Sequence, residues 1–181
     1  MNLQLHTPRL TLRPFMLEDG RDLFEMNSDL EVIRYTGDSP FVSLDEAIEL
    51  IKNYDQYKKY RTGRLAVVRK EDNQFLGWCG LKYHDVEEIV DIGYRFYRKF
   101  WGFGYATEAA RASLKYGFQG LQLTTIFAHV HEKNRASEKV LEKCGLRFVK
   151  NITYHQQPAK LFAIHKKDFN MHTNEYYDQK K

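Results

Sequence analysis

Between Arg98 and Ala110 the chain reads RKFWGFGYATEAA. Gly102 and Gly104 stand between a segment with strand character and an alanine-rich segment with helical character. Glycine takes positive φ at no steric cost and lets a ligand approach the backbone closely. A helix starting here leaves its first amides without intrahelical acceptors, and the aligned peptide dipoles favour an anion at that end. The backbone from Gly102 to Ala106 is therefore a pyrophosphate cradle in outline, with an ordinary glycine turn as the alternative. A Walker loop would need Gly-Lys-Ser/Thr, which is absent, and a dinucleotide fingerprint would need a third glycine where Thr107 stands. That fingerprint also follows the first strand of a parallel unit, whereas several antiparallel strands precede this turn.

Other reactive side chains are more scattered. His129 and His131 lie two apart on one strand and so share a face, but no Cys, Asp or Glu stands at a recognisable ligand spacing, and no metal is expected. The two cysteines, Cys79 and Cys144, read as free thiols of a reducing cytoplasm, and Cys144 as a small core residue rather than a nucleophile. Lys58-Lys59-Tyr60-Arg61 is basic with aromatics, which fits a solvated helix end.

These residues need a frame. Leu10 to Phe15 alternates as a strand until Pro14. Asp19 to Asn27 has helical character. Ser43-Leu44-Asp45-Glu46 is a capping box, followed by Leu44, Ala47, Ile48, Ile51 and Tyr54 on one helical stripe. Strands at Arg64 to Lys70, Gln74 to His84 and Glu88 to Phe96 are joined by turns short enough to make antiparallel pairing the default. A helix then runs from Tyr105 to Phe118 with Gly120 as its stop, a strand from Thr124 to His131, and a helix from Arg135 to Cys144. Two strands, Phe148 to Tyr154 and Lys160 to His165, flank a turn at Gln156-Gln157-Pro158. The frame is a mixed α/β fold with the antiparallel part first. At 181 residues it is one domain's length at roughly 150 residues each. Residues 1–170 form that domain, and 171–181 read as a frayed polar tail.

The segment Lys99-Phe100-Trp101-Gly102-Phe103-Gly104-Tyr105-Ala106-Thr107-Glu108-Ala109-Ala110 resembles the acyl-CoA pyrophosphate loop and following helix of the GCN5-related N-acetyltransferases, with Lys99 in place of Arg/Gln. The form Tyr-Ala-Thr-Glu-Ala resembles the RimJ/RimL-like, ribosomal-protein branch. Thr7-Pro8-Arg9-Leu10-Thr11-Leu12-Arg13 is similar to that branch's opening strand. Asp91-Ile92-Gly93-Tyr94 is similar to its fourth strand, and Asn134-Arg135-Ala136-Ser137 with Cys144-Gly145 to its Asn-x-x-Ser helix and following turn. The resemblance implies a mostly antiparallel sheet of six to seven strands, splayed between the fourth and fifth and flanked by about four helices. It implies acetyl-CoA as co-substrate and no metal. The pantetheine arm would lie in the splay against backbone groups of Tyr94, Arg95 and Phe96, and the pyrophosphate on Gly102, Phe103, Gly104, Tyr105 and Ala106. Lys99 and Trp101 belong to the same loop, with Trp101 packed under it. Asn134 would bond the pantetheine or thioester, or else cap its helix. Ser137 would lie near the sulfur, or else on a helix face touching nothing.

The chemistry implied is attack of a neutral amine on the thioester carbon, which needs a base, a polarised carbonyl and a stabilised thiolate. At pH 7 deprotonation costs roughly 1 kcal/mol for an α-amine of pKa ~7.8 but ~4.6 kcal/mol for a lysine of pKa ~10.4, so a terminal or weakly basic amine is the easier acceptor. Asp91 is the first candidate base, Glu88 the second and His84 a minor one. Three apart on a regular strand, Glu88 and Asp91 face opposite ways unless a bulge intervenes. Ser137 is the candidate acid, because Leu141 stands where many relatives carry a tyrosine. An acyl-CoA-binding module without turnover is the alternative. The acceptor loops are Tyr35 to Phe41 and the turn near Gln156, and they carry no acceptor signature.

Composition bounds the rest. Lys plus Arg is 28 against 24 for Asp plus Glu, a net charge of +4, too mild and unstriped for a nucleic-acid partner. With 43% hydrophobic and 14% aromatic residues, the chain is a globular protein rather than a disordered one. No apolar run approaches a membrane span, and Met1 to His6 lacks the basic flank and apolar stretch of a secretion signal. A cytoplasmic monomer or homodimer is expected.

Overall fold

The computed structural model describes residues 3–169; the expected tail at 171–181 lies outside them. Strands β1 (Leu5–His6) and β2 (Leu10–Arg13) open the chain, followed by helices α1 (Gly20–Ser28), α2 (Leu30–Ile33), α3 (Leu44–Lys52) and α4 (Gln56–Lys59). Strands β3 (Gly63–Arg69), β4 (Phe75–His84) and β5 (Ile89–Phe96) come next, then α5 (Tyr105–Lys115), β6 (Thr125–His131), α6 (Arg135–Lys143), β7 (Arg147–Tyr154) and β8 (Gln157–His165).

The strands form one sheet in the order β1-β2-β3-β4-β5-β6-β8-β7. It has eight strands, not six or seven. The extra one, β1, pairs Leu5 with Leu12 and His6 with Thr11 and is too short to show a period in sequence. Every pairing is antiparallel except β5 with β6, which meet as a parallel pair only at Asp91 and Phe127. The predicted splay lies here. Of the helices, α1, α3, α5 and α6 match the expected set, and the single-turn α2 and α4 are additional.

Both faces of the sheet are covered. Ala109, Ala110 and Leu114 of α5 are fully buried in one cluster with Leu10, Leu12, Leu76, Cys79 and Leu81. Leu23 and Met26 of α1 and Ala47 and Ile51 of α3 cover the other face at Ala66 and Phe75. Each large aliphatic side chain buried in this way contributes about 1.5–3 kcal/mol, so these two layers hold the strands in register.

Three local expectations change. The capping box forms by half: Ser43 Oγ accepts from the Glu46 amide at 3.3 Å, but the Glu46 carboxylate accepts from the amide of Val42, at 2.7 Å, rather than that of Ser43. The helix expected to Phe118 widens into a π turn at Tyr116–Gly120. There Gly117 lies so close to Ile126 and Leu81 that a Cβ would come within 2.8 Å of both. The β7–β8 turn is His155–Gln156, both at positive φ (48° and 60°), the twist a two-residue hairpin favours. Pro158 therefore belongs to β8. The β6–β8 ladder ends at His131 and Ala159, so the proline lies beyond it and costs it no hydrogen bond.

Candidate functional site

The floor of the site is a row across three strands, in which Arg64 on β3 is in register with Gly80 on β4, and Gly80 with Gly93 on β5. A Cβ at Gly80 would come within 2.1 Å of the Gly63 carbonyl, and one at Gly93 within 2.7 Å of Arg64 Cζ. The two glycines thus open a trench along which Arg64 crosses β4. Its Nη1 donates to the carbonyls of Gly80 (2.6 Å) and Asp91 (3.3 Å), and its Nη2 to Asp91 Oδ1 at 2.7 Å. Tyr57 Oη donates to the Arg64 carbonyl at 2.5 Å and Tyr54 Oη accepts from its amide at 2.7 Å, which fixes the start of the row.

Asp91 is 4% exposed. His84 Nε2 lies 3.1 Å from its Oδ1 and His129 Nδ1 3.6 Å from its Oδ2. Both ring nitrogens are buried and have no other polar partner among the described residues. Burial alone would raise the carboxyl's pKa; the Arg64 charge and the two imidazoles outweigh it and hold the group well below the ordinary carboxylate range. The His129 ring stacks on Tyr154 at 4.2 Å and 4°. Asp91 is therefore where the sequence places a base, but as a carboxylate already committed to a buried cation. Glu88 stands in the exposed turn before β5, at φ 52°, outside the strand on which it was expected.

Past Asp91 the two strands diverge. A cleft of about 700 Å³ opens there, lined by Tyr94 and Arg95 of β5, by Ala128 to His131 of β6, and by Asn134, Ser137 and Leu141 at α6. The loop Tyr35 to Phe41 and the hairpin residues Tyr154, His155 and Gln157 complete it. Asn134 Oδ1 accepts from the Ser137 amide at 3.1 Å, the capping geometry left open by the sequence. Ser137 Oγ is 2.9 Å from Tyr94 Oη, which donates to the Ser137 carbonyl at 2.9 Å. Burial pushes the Tyr94 hydroxyl above the usual tyrosine range. Leu141 is buried at the cleft wall. Sequence reasoning values Tyr94 for its backbone; the structure also brings its hydroxyl against Ser137 of α6.

The glycine loop lies beside this cleft, tied to the end of β5 by Trp101 Nε1, which donates to the Phe96 carbonyl at 2.9 Å. Trp101 is 46% exposed and does not pack under the loop; its bond occupies a carbonyl assigned to the pantetheine. The Phe96 side chain is in the core. Gly102 and Gly104 have φ of 83° and 81°. A Cβ at Gly102 would meet nothing within 4 Å, so conformation alone calls for glycine there. Gly104 is the N-cap of α5, and no side chain caps that helix, so the amides after it face outward free for an anion. Phe103 stacks on Tyr105 at 6.0 Å. Ala106 packs on the core. Lys99 is exposed, with Nζ 4.9 Å from the centre of the Tyr97 ring and 5.1 Å from that of Phe100.

His131 Nδ1 accepts from the Lys133 amide at 3.1 Å, and among the described residues no three His, Cys, Asp or Glu converge as metal ligands. Burial pushes the Cys144 thiol up to about 12, which suits a core residue. Among the described residues no helix is long and apolar enough to cross a membrane.

An open, mostly antiparallel sheet that splays at its one parallel pair, beside a glycine-led helix with bare amides, defines the class of acyl-CoA-dependent transferases. A family model described as an acetyltransferase (GNAT) domain matches residues 9–147. The uncharacterized protein YkkB of Bacillus subtilis (strain 168) is 39% identical over 163 residues, 88% of this chain and 94% of that one. The uncharacterized N-acetyltransferase p20 of Bacillus licheniformis is 36% identical over 145 residues, 79% of this chain and 82% of its own. A crystal structure of a GNAT-family acetyltransferase from Bacillus anthracis superposes with a TM-score of 0.79 at 26% identity, covering 91% of this chain and 99% of that one. The chain belongs to the GNAT acetyltransferases and is an acetyl-CoA-dependent N-acetyltransferase.

Proposed function

We propose that the pantetheine arm of acetyl-CoA lies in the cleft along Tyr94 and Arg95, its pyrophosphate on Gly102 to Ala106, and that a monoamine enters from the side of Tyr35 to Phe41. The observation that carries this is the single β5–β6 pairing at Asp91 and Phe127, which leaves the edge of β5 open along the cleft. Acetyl-CoA supplies the activated acyl carbon. Asp91, held ionised by Arg64, accepts a proton only at acid pH, so the amine's proton passes to the imidazole of His84 or His129, and Asp91 stabilises the imidazolium. The C–N bond forms as the C–S bond breaks. The Tyr94–Ser137 hydroxyl pair stabilises the leaving thiolate by hydrogen bonding, and the thiolate takes its proton from the imidazolium or from solvent.

Each carboxylate lining the cleft is already engaged: Asp38 by Arg95, Asp91 by Arg64, and Glu46 by the Val42 amide. A polyamine needs several carboxylates free to pair, and this supports a monoamine. The RimJ/RimL-like residues support placing the chain in that branch, and the two buried free thiols support a reducing compartment. We read residues 1–170 as one cytoplasmic catalytic domain, monomeric or homodimeric, that needs neither metal nor nucleic acid. The test is a thiol-release screen with acetyl-CoA across α-amines, monoamines and polyamines. Turnover with monoamines is expected; turnover confined to polyamines overturns the acceptor assignment.

A further inference from the structure

We propose that Arg9 is the positioning residue of the glycine loop and gives it the fixed cation that Lys99 does not. The inference rests on Gly102 to Ala106 being the pyrophosphate cradle. Arg9 lies in the turn between β1 and β2, held there by β3: the Lys70 amide donates to the Arg9 carbonyl at 2.9 Å, and Lys70 Nζ donates to the Thr7 carbonyl. From that anchored position its guanidinium reaches the loop from the far end of the chain's first hairpin. Nη1 donates to the Phe103 carbonyl at 3.0 Å, and Cζ lies 4.5 Å over the Tyr105 ring. Nη2 is 3.5 Å from where a Cβ on Gly104 would stand.

The carbonyl contact decides the direction of an amide. In a planar trans peptide the C=O and the following N–H point opposite ways. Pinning the Phe103 oxygen toward Arg9 therefore turns the Gly104 N–H away from it, outward from the loop. The same guanidinium answers an electrostatic problem. Glu108, in the first turn of α5, is 7% exposed, and an uncompensated carboxylate there would repel phosphates. Arg9 Nε donates to Glu108 Oε2 at 2.7 Å, its Nη2 lies 2.6 Å from the same oxygen, and its amide donates to Oε1 at 3.0 Å. Thr7 Oγ1 adds a donor at 2.6 Å. The Arg9 side chain is still 44% exposed, so it remains open to solvent beside the loop. Charge-assisted contacts of this kind are among the strong ones, and here two guanidinium nitrogens converge on one oxygen. Lys99, by contrast, spends its ammonium on the Tyr97 and Phe100 rings.

The experiment compares acetyl-CoA with S-acetyl-pantetheine, which lacks the pyrophosphate. Arg9→Gln is expected to raise KM for acetyl-CoA about tenfold, equivalent to about 1.4 kcal/mol, with kcat and the kcat/KM for acetyl-pantetheine little changed. Equal losses on both donors, or no loss on acetyl-CoA, would overturn the proposal. Calorimetric titration of CoA and of pantetheine reads the same split without turnover. A wild-type protein that binds CoA but acetylates nothing would count against the acceptor chemistry and leave this comparison intact. Should Arg9→Gln fail to fold, Arg9→Lys, which keeps charge but loses the fork, is read by the same ratio.

Discussion

The glycine loop and the Arg64–Asp91 cluster serve one cleft but are built in opposite ways. The loop is backbone: two left-handed glycines and a helix start, contiguous in sequence, with nothing within 4 Å of a Cβ at Gly102. The cluster is side chain: Arg64 from β3, His84 from β4, Asp91 from β5 and His129 from β6, meeting only because four neighbouring strands are held together. A backbone site depends on φ at its two glycines and on the one carbonyl that Arg9 holds. A side-chain site depends on every strand that contributes, and on charges that must stay paired.

That contrast can be broken where it is strongest. Arg64→Met leaves the Asp91 carboxylate buried with only the two imidazoles beside it, and should cost about 3–5 kcal/mol in denaturant unfolding. Arg64→Met with Asp91→Asn should recover most of that loss, since two neutral groups leave no stranded charge; a double variant as unstable as the single one would show that the row needs the ion pair itself. The pH sign follows from the depressed carboxyl. Its contribution is complete above the unfolded pKa of about 3.9 and fades as pH falls through and below it. The stability gap between wild type and Asp91→Asn should therefore be widest near neutral pH and narrow in acid, as read by urea unfolding at both. A gap that widens in acid would contradict the assignment.

Smaller effects sharpen the comparison. His84→Ala should lower kcat about a hundredfold, in the usual range for a general base, with no change in CoA binding by calorimetry; His129→Ala, at the longer distance from Asp91, should lower it less. Gly102→Ala should do the reverse, weakening CoA binding and costing about 1–2 kcal/mol for a left-handed alanine while leaving kcat at saturating acetyl-CoA nearly intact. Ser43→Ala, at the start of α3, should cost about 1 kcal/mol through the lost cap and leave CoA binding unchanged.

What was legible follows the same division. The glycine turn, the α3 start and the strands from β2 to β6 are local patterns of period and punctuation, and the structure places them within a residue or two of expectation. Arg64 was invisible because its role depends on pairing across Gly80 and Gly93. The available signal was those glycines themselves, since glycine within a strand marks a close approach of another group. The Tyr94 hydroxyl was hidden for a similar reason: it meets Ser137 only across the gap between β5 and α6. Trp101 and Lys99 are placed by their nearness in sequence to the glycines; the Trp101 indole bonds the Phe96 carbonyl, and the Lys99 ammonium lies over two aromatic rings.

The most direct test is to titrate CoA into isotopically labelled protein and follow backbone amide resonances. The account predicts that the largest shifts fall on Gly102 to Ala106 and on Tyr94 to Phe96, with those of β7 unmoved. Saturable binding that leaves both segments in place, or no binding at all, would contradict it.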